Sequence, residues 1–178
     1  MEITAAYIIS QILAFIAFLF NISAYQLKKK SQILGFTITG NVLNIIHYIL
    51  LGAWSGMATK IIAVTRDSYV LFKDKKALKS IVPLIFFICV YIGMAIITYE
   101  SPLSLLPLLA AILYTIGIYK GGAQRVRIAA ATTCVLWLIY NISVYSIAGA
   151  IGDVFIITSN IVAYYHYAKA KKRKGLKK

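Results

Sequence analysis

The sequence predicts an all-α membrane protein, with seven transmembrane helices arranged as two parallel three-helix bundles joined by a linker helix. Three observations predict it. Of the 178 residues, 61% are hydrophobic and only 13% charged, where a soluble domain averages about 45–50% and about 25%. Seven apolar segments follow one another, most of them near the roughly 20 residues that cross hydrocarbon. Basic residues cluster only after the odd-numbered segments.

The segments are 3–25, 33–51, 57–72, 81–98, 103–119, 126–147 and 151–167. Their apolar residues run on without alternation, which selects helices over barrel strands. Segment one begins with Glu2 where a signal peptide carries bases, so it reads as a permanent first helix. Lys28, Lys29 and Lys30 follow segment one; Lys73, Lys75, Lys76 and Lys79 follow three. Lys120, Arg125 and Arg127 follow five, and a tail with six lysines and one arginine follows seven. Loops rich in Lys and Arg stay cytoplasmic. The N-terminus is therefore expected outside and the C-terminus inside a bacterial plasma membrane. Glu2, Glu100 and Asp153 are assigned to the outer side, with Lys60 as its single base.

The stretch 42–76 recurs at 135–169. Val42 and Val135, Leu43 and Leu136, Ile46 and Ile139, Ile49 and Ile142, Gly56 and Gly149, Thr65 and Thr158, and Lys76 and Lys169 coincide. Each copy runs long helix, basic loop, helix, small-residue break, polar-centred helix, basic stop. Two adjacent three-helix copies would point opposite ways, and the uncharged fourth segment makes them parallel. The chain divides into a first repeat (1–80), a linker helix (81–101) and a second repeat with a basic tail (102–178). Parallel repeats place a transporter's site near midplane, between the halves.

Polar residues within this apolar background mark the candidate site. A charge at the bilayer centre costs about 2.5–3.5 kcal/mol on insertion scales, so Arg66 and Asp67 call for a cavity or partners. The duller reading has Arg66 reaching back to the cytoplasmic headgroups. Neighbours on a helix point about 100° apart, so the two are expected to find separate partners. Ser159 and Asn160 hold the corresponding place in the second copy, although an intramembrane Asn also serves as helix-to-helix glue. Asn44, His47 and Tyr48 share a face of segment two, as do Trp137, Tyr140 and Asn141 on segment six. These faces read either as pocket walls or as interhelical packing. Trp54, Tyr99, Tyr119, Tyr164, Tyr165 and Tyr167 read as interfacial belts, and Cys89 and Cys134 as small buried hydrophobes.

Several classes are set aside. The net charge of +14 is divided among topological clusters and points to no nucleic acid. No nucleophile elbow, phosphate loop, zinc motif or paired catalytic carboxylates occur, so neither an enzyme nor a cofactor or metal is expected. The expected partners are membrane lipids, with the lysine-rich tail suited to anionic headgroups, and a small polar solute. Homo-oligomerisation is left open.

The segment from Arg125 through Asn160, continued by Ile161 to Tyr167, resembles the closing half of the YgjV-type bacterial inner membrane proteins. The stretches 14–36 and 47–66 resemble the first half. The most specific pieces are Trp137, Tyr140 and Asn141, with Asn160 and Arg66. That family is in turn similar to the SWEET and PQ-loop transporters of three-plus-one-plus-three helices. Residues 24–31 with Gly35 look like a degenerate PQ-loop, with Tyr25 in place of the proline. The resemblance implies the repeat fold and a central binding site. The hinge prolines of the sugar transporters are missing from segments one, two and six. Asp67 replaces a site asparagine that Asn160 retains, and Arg66 is foreign to a neutral-sugar site.

Overall fold

The computed structural model describes residues 4–73, 80–119 and 123–159. Glu2, Lys75, Lys76, Lys79, Lys120, Asn160, Tyr164, Tyr165, Tyr167 and the lysine-rich tail lie outside the described residues.

Seven α-helices and no strands occur among the described residues: α1 (Ala5–Gln26), α2 (Lys30–Leu50), α3 (Trp54–Phe72), α4 (Val82–Ile97), α5 (Leu106–Tyr119), α6 (Ala123–Ser143) and α7 (Ile147–Ser159). Three stretches are long and apolar enough to cross a membrane: Ala5–Ala24, Lys30–Leu50 and Pro102–Tyr119, the last a 3-10 turn running into α5. α3 has 19 residues and reaches about 28 Å at 1.5 Å per residue; its charged residues lower its hydropathy, not its length. Local chemistry sets the ends. Thr4 caps α1 by accepting from the Tyr7 amide. Pro83 sits in the first turn of α4, where a missing N–H costs nothing. Gly52, at φ +67, turns the chain from α2 to α3 in a conformation that suits glycine.

Packing puts six helices in a ring. α1 lies on α2, α2 on α3, α3 on α5, and α5 on α6, while α2 also meets α6. α6 is tied to α7 by Asn141 and Asp153. α7 closes the ring against α1, where Phe155 meets Phe18 at 5.7 Å between ring centroids. α4 stands outside the ring, against α3 and α5, and turns Ile85, Phe86, Ile96 and Ile97 outward. α1 likewise turns Ile8, Ile9, Ile12 and Phe15 outward. So much exposed apolar surface is the mark of a lipid-facing exterior. Cys89 is exposed on α4 rather than buried; Cys134 is buried on α6.

Small residues allow close packing, as in other membrane helices. Ser10, Ala14, Ala17 and Ala24 form the buried stripe of α1. Opposite them on α2, a Cβ at Gly40 would meet the Ala17 carbonyl oxygen and the Asn21 amide nitrogen, each at 3.1 Å. Gly40→Leu is therefore expected to lower stability by about 1–3 kcal/mol through overpacking. Gly35, with nothing within 4 Å of an added Cβ, should accept Ala with a gain of about 0.5–1 kcal/mol. Denaturant unfolding in detergent distinguishes the two.

Candidate functional site

The ring surrounds a partly open cavity of about 110 Å³. All six ring helices line it and α4 does not. Asn21, Asn41, Asn44 and Tyr48 face it from α1 and α2, Lys60 and Arg66 from α3. Tyr114, Thr133, Trp137 and Asn141 face it from α5 and α6, and Asp153 from α7.

Arg66 is the largest of the fully buried side chains and Asp67 is completely buried. They pair directly: Arg66 Nη2 and Nε reach the same Asp67 oxygen, Oδ1, at 2.8 and 2.9 Å. The expectation of separate partners is corrected here. The 100° rule separates Cβ atoms, and a guanidinium on a long stem bends back across that angle. Nη1 donates to Tyr91 Oη on α4 at 2.9 Å and to Thr115 Oγ1 on α5 at 2.8 Å. Thr115 donates its own proton to the Ala111 carbonyl, which leaves its oxygen free to accept. The Tyr114 ring lies 4.8 Å from the guanidinium carbon. Arg66 thus fastens α3 to α4 and α5 and does not run back to the headgroups. Asp67 Oδ2 is buried without a hydrogen bond.

At the end of the ring carrying the α2–α3 and α6–α7 turns, the two middle helices exchange contacts. Tyr48 Oη donates to Asn141 Oδ1 at 2.8 Å across a spacing of 93 residues, the offset of the sequence repeat. Its two neighbours cross over. His47 on α2 joins the Ser10 carbonyl and Ser146 Oγ, just before α7, both at 2.8 Å. Tyr140 on α6, its counterpart in the repeat, takes the Gly56 amide and pairs with Ser55 Oγ on α3, both at 2.9 Å. A Cβ at Gly56 would approach Tyr140 Oη to 2.9 Å, so glycine leaves room for this contact. At the opposite, basic end, Ile33, Leu34 and Val70 bury against Ile118 and Val126, and Lys30 donates to the Ile118 carbonyl at the end of α5.

Of the polar and aromatic residues singled out from sequence for the site faces, Asn44, Tyr48, Arg66, Trp137 and Asn141 line the cavity. Asp67 stands behind Arg66, and His47 and Tyr140 serve the turn-end contacts instead of walling the pocket. Ser159 is half-buried and not among the cavity's lining, and Asn160 is outside the described residues. Two residues assigned to the outer surface belong to the cavity. The Lys60 ammonium sits 3.7 Å from the Trp137 ring centroid. Asp153 is 9% exposed and accepts from Asn141 Nδ2 through Oδ2 at 2.8 Å. Lys60 and Asp153 stand at equivalent positions of the two copies, in the register that joins Tyr48 to Asn141. That register was the signal available for finding them. Among the described residues no three His, Cys, Asp or Glu side chains gather as a metal-binding group.

The Imp-YgjV family, described as bacterial inner membrane protein, matches residues 8–171, nearly the whole chain. No curated protein and no solved structure matches. The chain belongs to the Imp-YgjV family of bacterial inner membrane proteins.

The Arg66 network makes a stability prediction. Arg66→Leu leaves Asp67 charged and unpaired among apolar helices, at an expected loss of about 3–5 kcal/mol. Adding Asp67→Leu removes the stranded charge and should recover much of it. A double-mutant cycle measured by unfolding in detergent reads this non-additivity directly.

Proposed function

We propose that this inner membrane protein is a carrier for a small polar solute, working by alternating access between two three-helix units. The units are α1–α3 (within 1–80) and α5–α7 (within 102–178), with the α4 region (81–101) as the linker. The observation that carries the reading is the shape of the cavity: both units wall it, α4 does not, and its polar groups come from both sides. Contacts between the units include a hydrogen-bonded set at the turn end and a mainly apolar set at the basic end, and midway Arg66 donates to Thr115 and Lys60 rests on Trp137. A rocking carrier needs one contact set for each state. The positive-inside rule puts the basic end in the cytoplasm and the turn end, with the N-terminus, outside. The function is binding and movement of a solute rather than catalysis.

The Arg66 network, which ties three helices together within the protein, favours a second reading, a non-transporting receptor, assembly or lipid-binding protein whose polar centre holds helices together. Thiol accessibility separates the two without knowledge of the substrate. Ala63 lines the cavity and is buried. In a background of Cys89→Ser and Cys134→Ser, Ala63→Cys should react with a membrane-impermeant thiol reagent from both faces, in right-side-out and inverted vesicles. Joining His47→Cys to Ser146→Cys with a short bifunctional thiol reagent should abolish labelling from the outer face only. Labelling from one face or neither in the uncross-linked protein would overturn the carrier reading in favour of the second.

A further inference from the structure

The charges at the cavity fall into two unlike groups. Arg66 is committed: four of its N–H directions go to Asp67, Tyr91 and Thr115, and with Asp67 it forms a neutral unit. A solute carboxylate could take at most the one remaining N–H without dismantling that network. Lys60 and Asp153 are not committed in this way. The Lys60 ammonium rests on the face of Trp137, and Asp153 accepts from neutral donors only, the Asn141 amide and the Cys134 thiol. Neither makes an ion pair among the described residues. One stands on α3 and the other on α7, at equivalent places in the two copies, and both face the same space. The cavity thus offers one positive and one negative group from the two units, and hydroxyl and amide side chains such as Thr59, Thr133 and Asn44 line it too.

We infer that the cavity takes a small zwitterion, an amino acid whose carboxylate meets Lys60 and whose ammonium meets Asp153. The inference rests on the carrier reading above and deepens it. A solute of either single charge would satisfy one wall and leave the other charge unmatched. A neutral polyol would satisfy neither. The size follows from the volume: a cavity of about 150 Å³ holds benzene, with six carbons, so about 110 Å³ suits about four or five non-hydrogen atoms. Glycine matches that size, and alanine, one atom larger, reaches toward the cavity's open side. Binding to both units at once also couples recognition to the closure of one unit on the other, because neither wall alone holds the ligand.

The test uses the full-length protein purified in detergent, with thermal shift and calorimetric titration of probes of matched size. Glycine and L-alanine should bind and raise the unfolding temperature. Lactate lacks the ammonium, alaninamide lacks the carboxylate, and glycerol lacks both; each should bind at least tenfold more weakly than alanine. Lys60→Met and Asp153→Asn should each weaken alanine binding at least tenfold. If either variant fails to fold, the comparison of probes on the unaltered protein decides alone. Glycerol, lactate or alaninamide binding as well as alanine would overturn the zwitterion assignment. So would no binding by any probe. If Ala63→Cys is labelled from both faces in either case, the carrier reading survives that failure; if labelling also fails, both fall.

Discussion

A polar side chain inside hydrocarbon has no water to turn to, so it must find its partners on other helices. That constraint shapes this protein more than any other. Arg66 and Asp67 are adjacent in sequence, and alone they would form a small neutral unit on one helix. The guanidinium has donors to spare, and these bind Tyr91 and Thr115. A single costly side chain thereby sets how α3, α4 and α5 lie together. α4 is outside the cavity, yet through Tyr91 it takes part in holding the charge that borders it.

The same constraint explains why the two ends of the ring differ. At the turn end the breaks between helices expose backbone groups, and Tyr140 and His47 satisfy groups on the opposite break. At the basic end the contact is made mainly by aliphatic side chains, with one hydrogen bond from Lys30 to the Ile118 carbonyl. Hydrogen bonds net only about 0.5–1.5 kcal/mol each when water can replace them. Apolar contact is lost at about 25 cal/mol per Å² with no such replacement. In a rocking cycle the turn end separates by trading partners with water, and the basic end by exposing surface. The symmetry of the ring is therefore one of position and not of chemistry. The α1–α7 contact mirrors α3–α5, and Ile33 mirrors Val126 in the repeat, while His47 mirrors a tyrosine.

Hydropathy and charge made the helices legible, and the break after α2 appears at Gly52, whereas the break after α6 falls at Tyr145, ahead of the small residues Ala148 and Gly149 expected to make it. The positions of individual side chains were less legible, for identifiable reasons. Lys60 and Asp153 looked like residues near an outer end because the apolar segments start at 57 and 151. The helices begin earlier, at Trp54 and Ile147, since Ser55, Gly56, Ala148 and Gly149 are too small or polar to raise hydropathy yet are helical. Three or four residues at 1.5 Å each move both charges about a turn deeper. His47 shares a face with Asn44 and Tyr48 only broadly. The cavity takes 44 and 48, and the intervening angle sends 47 toward α1. The Arg66–Asp67 pair was hidden because a helical wheel describes where side chains start, not how far a flexible one can bend.

The opposite signs at Lys60 and Asp153 bear on how an apolar ring tolerates two more charges. Had the repeat kept the same residue in both copies, like charges would face each other across a medium that screens them poorly. Opposite charges attract instead, which offsets part of the cost of inserting each of them, about 2.5–3.5 kcal/mol on insertion scales. Partial compensation of this kind keeps the ring stable without closing the cavity. Full compensation would require the two groups to touch, and the space between them would then be lost. Holding them apart on separate units, one steadied by an indole face and the other by an amide, leaves a polarised gap. The arrangement that makes the protein tolerable to the membrane is the same one that gives a dipolar solute a reason to enter.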